Sequence, residues 1–190
     1  LSVHKDHVSW EDVPGPTLAD RIASDLLDRN ADALAARLTE YRQMLIEGFK
    51  TTPTFAPPAL ENDFFLGLDL SALTCGPAFA TVTCADAVPD KLVFHGGHYW
   101  LVASEWLIGH GYPVAFVLAR GVRRALVPNR SNARPEDSER AHSALLRLGI
   151  APDVIAACSR MDAHLDSWIR TGGESAPNQT GGQGAGRRKQ

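Results

Sequence analysis

Apolar residues recur at helical spacing near the start of the sequence. The motif Thr17-x-x-Asp20 is typical of a helix N-terminus, and Asn30 is suited to cap a second helix. After each cap, an apolar residue returns every three or four positions in an otherwise polar stretch, which predicts an amphipathic helix. The two stretches together predict an N-terminal helical hairpin. Its apolar positions are Leu18, Ile22, Leu26, Leu34, Leu38, Tyr41, Leu45 and Phe49.

The same spacing returns near the end of the chain. Residues 136–148 have a helical pattern that Gly149 ends, and Pro152 suits the first turn of a following helix. The second of these two C-terminal helices has one continuous apolar face, so we expect it to pack against the rest of the protein. That face consists of Val154, Ile155, Cys158, Met161, Leu165, Trp168 and Ile169.

The middle of the chain has a strand-like pattern. Residues 66–84 are small and apolar, and they fit one strand, a pair of strands, or a strand and a short helix. "KLVFH" (91–95) predicts a buried strand, residues 98–108 fit a helix, and "YPVAFVLAR" (112–120) predicts another strand. A strand, a crossover helix and a second strand make a βαβ unit with parallel strands. The expected fold class is therefore α/β, with a parallel or mixed sheet that contains one βαβ unit at residues 91–120.

The distribution of apolar residues also predicts the domain organisation. Residues 1–16 are polar and contain Pro and Gly, so we expect an irregular N-terminal segment. Residues 17–171 are expected to form a single α/β domain with N-terminal helices. Residues 172–190 lack the apolar side chains needed to offset the entropy of ordering, which predicts a disordered tail.

Composition narrows the class of protein. The 190 residues carry a formal net charge of −3, which argues against binding nucleic acid through the overall field. Fifteen of the nineteen cationic residues are arginine and alanine is abundant, a composition typical of a biased bacterial-type genome. Three cysteines without C-x-x-C spacing fit a reducing compartment. Because no transmembrane run or signal peptide is visible, we predict a cytoplasmic protein.

The sequence around His95 is the best candidate for chemistry. In open parallel sheets, ligands bind beyond the carboxyl ends of strands, where the next helix begins. If a helix follows Gly96 and Gly97, their amides and the N–H groups of that helix can approach an anion or a carbonyl oxygen. An imidazole at this position suits a general base. The alternative is that His95 bonds locally within a turn and that the glycines serve the backbone shape alone.

This stretch resembles a known family. "HGGHYW" followed by "LIGHGYPVAFVLAR" is similar to the motif of the lysophospholipid and lipid A acyltransferases, over about residues 31–120. His95, Gly97 and Tyr99 fall on motif positions, and the resemblance implies that His95 deprotonates a hydroxyl or amine acceptor. The implied donor is an acyl thioester or an acyl-lipid. Trp100, however, stands where the family has its catalytic acid.

Four further residues complete this hypothesis. Glu105 is the candidate acid, because it lies two turns after His98 on the same face of the predicted helix, although contact with His95 would need that helix to fold back. Gly96, Gly97 and His98 are the candidate substrate-binding residues, with the glycine amides steadying the oxyanion. No cofactor is expected.

A metal site is the other chemical interpretation of the two histidines. His95 and His98 supply two imidazoles, and Cys84 or His110 could add a third ligand. Histidines on either side of a strand-to-helix junction usually diverge, however, and no second clustered pair completes a site. We therefore expect no metal.

Two functional hypotheses follow from the sequence. The first is an acyltransferase-like enzyme that uses His95. The second is a non-catalytic α/β protein, a degenerate relative, that acts through a partner or a second copy. Trp100 at the acid position favours the second hypothesis, and the strand–His–Gly–Gly arrangement favours the first. A homo-oligomer and a peripheral contact with a membrane both stay open, and no nucleic-acid partner is expected.

Overall fold

A computed structural model of the protein describes residues 2–4, 7–9, 13–52, 72, 81–82, 87–102, 112–127 and 134–170. Helices account for most of these residues. The predictions for residues 172–190 and for most of residues 66–84 lie outside these ranges. The α-helices are α1 (Leu18–Leu27), α2 (Ala31–Phe49), α3 (Val114–Leu126), α4 (Pro135–Arg147) and α5 (Pro152–Arg170), with one 3-10 turn at Pro89–Lys91.

The β-strands of the described residues are short, and all of their pairings are antiparallel. One pair lies at the start of the chain, a three-stranded sheet has the order β3-β4-β7, and β5 and β6 form a separate hairpin. The strands are β1 (Ser2–His4), β2 (His7–Ser9), β3 (Lys50–Thr52), β4 (Thr81–Val82), β5 (Leu92–His95), β6 (His98–Leu101) and β7 (Tyr112–Pro113).

The predicted fold class is wrong. The described residues are mostly helical and carry small antiparallel sheets instead of a parallel or mixed α/β sheet. The βαβ unit expected at residues 91–120 is replaced by the β5–β6 hairpin and by α3. The helix expected from residue 98 is a strand over its first four residues, and the strand expected at residues 112–120 becomes helical from Val114.

Burial explains why α3 resembles a strand in the sequence. Every residue from Tyr112 to Val122 is buried, so the first two turns of α3 are apolar on all sides. Over these turns no polar face reveals a period of 3.6 residues; the polar residues at helical spacing, Arg120, Arg123 and Arg124, come only in the second half of the helix. A short apolar run with β-branched and aromatic residues then fits a buried strand equally well. The packing around α3, rather than local propensity, decides the helix.

Helix α3 lies at the centre of the described core. It contacts α1, α2, α4 and α5, and Phe116, Val117 and Ala119 on successive faces are fully buried. The four surrounding helices lie where the apolar spacing predicts them. Each of them therefore buries its apolar stripe against one shared central helix.

Tyr41 links three distant segments of this core. Its hydroxyl donates a hydrogen bond to the carbonyl oxygen of Ala87 at 2.7 Å and lies 3.3 Å from the carbonyl oxygen of Val117. The ring of Tyr41 lies against Gly121 of α3, where a side chain would have no room. A fully buried hydroxyl needs such a partner, because an unsatisfied polar group in the core is costly. Helices α2 and α3 thus meet at one fixed distance.

The N-terminus of α1 is a capping box. The hydroxyl oxygen of Thr17 accepts a hydrogen bond from the amide of Asp20 at 3.0 Å, and the Asp20 carboxylate accepts one from the amide of Thr17 at 2.9 Å. The hydrogen bonds from Thr17 lower the pKa of Asp20 below its usual range. Two of the unpaired amides at this helix end are therefore satisfied reciprocally.

Replacing Thr17 with alanine should lower the free energy of unfolding by about 1 kcal/mol at neutral pH. The hydroxyl acceptor of the cap is lost, whereas a serine at this position keeps it. Because folding lowers the pKa of Asp20, its contribution is present above the unfolded pKa of about 3.9 and is lost as the pH falls through the folded pKa. Urea unfolding of the T17A and T17S variants at neutral and acid pH measures this. A T17A variant as stable as the T17S variant at neutral pH would contradict it.

Candidate functional site

His95 ends β5 and immediately precedes a two-residue hairpin turn. Gly96 and Gly97 both have positive φ angles, of 61° and 86°, as a type I′ turn requires. The register pairs His95 directly with His98, and Val93 with Trp100. Directly paired residues of an antiparallel hairpin project their side chains from the same face. The two imidazoles are therefore neighbours across the turn.

The surroundings of His95 combine exposure with a fixed ring. Its Nδ1 atom lies 2.9 Å from the carbonyl oxygen of Pro14. The Trp100 indole N–H donates to the carbonyl oxygen of His95 at 3.2 Å. Trp100 itself is 51% exposed, and His95 and His98 are exposed as well. The tip of the hairpin thus presents an indole and two imidazoles to solvent.

The segment before α1 holds the hairpin in place. The amide of Phe94 donates to the carbonyl oxygen of Pro16 at 3.0 Å, and Thr17 forms an antiparallel bridge with Val93. Gly15 packs so closely on the backbone of Phe94 that a Cβ atom there would lie 3.2 Å from the Phe94 carbonyl carbon and closer still to its oxygen. The carbonyl that contacts the His95 ring is therefore positioned by the fold.

Arg21 of α1 covers the opposite face of the hairpin. Its guanidinium carbon lies 4.3 Å from the centroid of the Phe94 ring, and it donates to the Tyr99 hydroxyl at 2.7 Å. Stacking of an arginine on an aromatic ring is favourable in partly buried sites. The hairpin is thus anchored through one face, while His95, His98 and Trp100 lie on the other.

The structure separates the predicted site residues. His95 ends an extended strand, as the sequence predicts. Gly96 and Gly97 lie in a turn, and His98 begins β6, so the helix N-terminus expected beside them is wrong. Glu105 lies outside the described residues, as do the two further ligands considered for a metal, Cys84 and His110. The assignment of these residues to acyl transfer stays a prediction, now without the helix amides on which its oxyanion argument depended.

A second candidate site is a cleft of about 370 Å³ between α3, α4 and α5. Its apolar walls come from α4, from α5 and from the residue that follows α3. Polar side chains from the same three helices complete the lining. The apolar residues are Val127, Ala141, Leu145 and Ile155, and the polar residues are Arg123, Ser138, His142 and Ser159. We call this the α3–α4–α5 cleft.

The guanidinium of Arg123 is the best-positioned charge in this cleft. It donates to the Ser159 hydroxyl at 2.6 Å and to the carbonyl oxygen of Cys158 at 3.4 Å. It also forms an ion pair of 3.2 Å with Asp162. Because several partners fix it, this cation needs little reorganisation to meet a ligand.

A buried ion-pair network lies directly behind Arg123. Arg120 is 4% exposed, forms an ion pair with Asp162, and has a second carboxylate partner, Asp166, at 3.3 Å. Burial alone would lower the pKa of Arg120, but the two carboxylates outweigh it and raise the pKa. The four side chains Arg120, Arg123, Asp162 and Asp166 carry two positive and two negative formal charges.

Cys158 lies beside this network but has no nucleophilic character. Burial raises the pKa of its thiol to about 12, with Arg123 opposing the shift and Asp162 adding to it. The nucleophilic form of cysteine is the thiolate. At neutral pH this side chain is therefore a small apolar part of the core.

A third surface feature is a smaller cleft of about 210 Å³ between α2 and α4. Its floor includes Leu34 and Leu38, and Arg140, Ser143 and Arg147 lie along it. We call it the α2–α4 cleft. Helix α4 lines both clefts. Ser138 lies in the α3–α4–α5 cleft and Ser143 in the α2–α4 cleft, so a substitution at either serine changes one cleft only.

Comparisons with models of known protein families, with curated proteins and with solved structures find no match. In the part of the chain that the structure describes, no helix is both long and apolar enough to cross a bilayer. Within the same ranges, no group of three or more His, Cys, Asp or Glu side chains is arranged to hold a metal ion.

Sequence reasoning missed the network and the cleft. It assigns residues 112–120 to a strand, which hides the helical spacing of Arg120 and Arg123. The available signal was the pairing of Arg120 with Arg123 at helical spacing, and of Asp162 with Asp166 four residues apart on the edge of an apolar face. That signal depends on assigning α3 as a helix, which its all-apolar start prevents.

Proposed function

We propose that this protein binds a small amphipathic molecule in the α3–α4–α5 cleft, with an apolar body and one carboxylate or similar acceptor group. The observation that carries the proposal is the cleft itself: about 370 Å³ with four apolar walls and a fixed guanidinium. Small-molecule sites typically have volumes of about 300–1,000 Å³ and few, well-placed polar groups. The function belongs to the class of non-catalytic binding proteins.

The apolar lining accounts for the body of the ligand. Ala141, Leu145 and Ile155 are almost fully buried by the protein, and Val127 is slightly more exposed. Covering their remaining surface gains about 25 cal/mol per Å² of apolar area removed from water. Because the volume lies near the lower end of the usual range, we expect a compact ligand or a short alkyl chain.

The polar lining accounts for the head group. Arg123 and Ser159 are already hydrogen-bonded to each other, so a carboxylate that reaches Arg123 meets a preorganised donor. Arg123 and the three charged residues behind it carry two positive and two negative formal charges, so these four side chains together present no net negative charge to the ligand. His142 and Ser138 lie four residues apart on one face of α4 and line the same cleft.

Octanoate, a short alkyl chain with one carboxylate, serves as the test ligand. Filling the cleft with Ser138→Phe is expected to weaken its binding at least about tenfold. That change corresponds to the binding free energy of roughly two buried methylenes. The matched control is Ser143→Phe, the same change on the same helix but in the α2–α4 cleft. Both serines are exposed, so neither change should alter the melting temperature by much. Calorimetric titration of each variant with octanoate measures the affinities.

Octanol tests the head group in the same experiment. If Arg123 recognises the carboxylate, octanoate should bind more tightly than octanol to the unaltered protein. Equal loss of octanoate binding in the two phenylalanine variants, or no binding by the unaltered chain at millimolar octanoate, would overturn the proposal.

A further inference from the structure

We infer that His95 and His98 form a two-histidine site for a divalent transition-metal ion at the tip of the β5–β6 hairpin. This site is independent of the α3–α4–α5 cleft. The sequence favours the opposite conclusion, because histidines on either side of a strand-to-helix junction diverge. In the structure no helix begins there, and the two residues are direct cross-strand partners.

The hairpin geometry brings the two rings within reach of one ion. Residues that flank a two-residue turn lie directly opposite each other, with Cβ atoms about 4.5–5.5 Å apart. Two neighbouring nitrogens bound to one ion at about 2.0–2.1 Å lie roughly 2.9 Å apart in the square-planar geometry of Cu²⁺ and roughly 3.3 Å apart in a tetrahedral site. Because the Cβ separation exceeds the nitrogen separation, the two imidazoles need to tilt slightly toward each other for both nitrogens to reach one ion. The Gly96–Gly97 turn fixes the backbone beneath them.

The hydrogen bond to Pro14 prepares His95 as a ligand. A backbone carbonyl oxygen only accepts hydrogen bonds, so the Nδ1 atom at 2.9 Å from it carries the proton. In the neutral ring the lone pair is then on Nε2. Metal-binding histidines almost always donate their second ring N–H to a carbonyl or carboxylate in this way. The N-terminal segment thus selects the tautomer that binds a metal.

Two protein ligands leave coordination positions open. The described residues place no third ligand beside the pair, so water or an added small ligand would complete the shell. Imidazole nitrogens favour Cu²⁺, Ni²⁺ and Zn²⁺, and affinity in a given site rises from Ni²⁺ to Cu²⁺ and falls again for Zn²⁺. We therefore expect Cu²⁺ to bind most tightly.

The chain contains a natural comparison for this site. The β1–β2 hairpin has the same spacing, and its register pairs His4 with His7. The two residues between the paired histidines are Gly96 and Gly97 in the β5–β6 hairpin and Lys5 and Asp6 in the β1–β2 hairpin. If backbone pairing alone sufficed, both hairpins would bind a metal ion equally well.

The test is calorimetric titration of the full, untagged chain with Cu²⁺, Ni²⁺ and Zn²⁺. His95→Gln and His98→Gln should each weaken Cu²⁺ binding at least about tenfold, since even the loss of a ligand's hydrogen-bond partner typically costs 10- to 100-fold. The double variant with His4→Gln and His7→Gln should retain the affinity of the unaltered chain. Unchanged melting temperatures without metal establish that the variants are folded.

Trp100 supplies an independent readout. Cu²⁺ quenches the fluorescence of a nearby indole, and Trp100 lies on the same face as His98. Trp100→Phe should remove most of the quenching and leave the calorimetric affinity unchanged. Unaltered Cu²⁺ affinity in His95→Gln and His98→Gln would overturn the inference, as would loss of binding in the variant of the β1–β2 hairpin.

Discussion

Replacing Arg120 with alanine is expected to lower the free energy of unfolding by about 3–5 kcal/mol. The substitution leaves the Asp162 carboxylate, only 5% exposed, without its buried cationic partner. Asp162 keeps its ion pair with Arg123 at 3.2 Å, so we expect a loss near the lower end of this range, from a buried carboxylate that has lost one of its cationic partners. Urea unfolding monitored by circular dichroism measures the change.

Two further variants separate charge from packing at this site. Replacing both Arg120 and Asp162, by methionine and leucine, removes the buried charges together and should cost much less than Arg120→Ala alone. Arg124→Ala, on the same helix but outside the ion pairs of Arg120, should change stability by no more than about 0.5 kcal/mol. If Arg120→Ala costs no more than Arg124→Ala, the buried network does not stabilise the fold.

Replacing Gly121 with alanine is expected to destabilise the protein by about 1–3 kcal/mol, although alanine is the better helix former. A Cβ atom at this position would lie 2.7 and 2.8 Å from the Cζ and Cε1 atoms of Tyr41, and closer still to its hydroxyl oxygen. Tyr41 cannot yield easily, because its hydroxyl is bonded to Ala87 inside the core. Overpacking therefore outweighs helix propensity.

Gly48 is the matched control for this prediction. It lies in α2, and a Cβ atom there meets nothing within 4 Å. Gly48→Ala should therefore stabilise the protein by about 0.5–1 kcal/mol, the usual difference between the two residues in a helix. If the contact between Gly121 and Tyr41 determines the outcome, thermal unfolding should show a lower melting temperature for Gly121→Ala and a higher one for Gly48→Ala. Stabilisation by both changes would show that the two helices can separate at no cost.

Local rules account for the helices that have a polar face. Helices α1, α2, α4 and α5 each keep one exposed side, so the period of 3.6 residues is readable in the sequence. Helix α3 is different because its surroundings are entirely protein over residues 114–122. The packing of its first two turns depends on helices that are distant in the sequence, and within the segment only the spacing of Arg120, Arg123 and Arg124 indicates a helix.

The candidate sites were predictable in part. An exposed His95 at a strand end follows from "KLVFH" and the glycines after it. The turn was also readable, since two glycines between two short β-like runs are a signal for a two-residue hairpin. Interpreting "HYWL" as the start of a helix hid the pairing of His95 with His98. The α3–α4–α5 cleft depends on how three helices pack, which the sequence alone does not specify.

The hydrogen bonds of Tyr41 bear on how quickly the chain reaches its native state. Its acceptors lie 46 and 76 residues further along the sequence. Contacts at such separations raise the contact order of an otherwise helical protein. Long loops must then close, at a cost in conformational entropy, before these contacts can form and stabilise the chain. We therefore expect slower folding than in a bundle held by neighbouring helices, with the nucleus forming only when α2 and α3 have met.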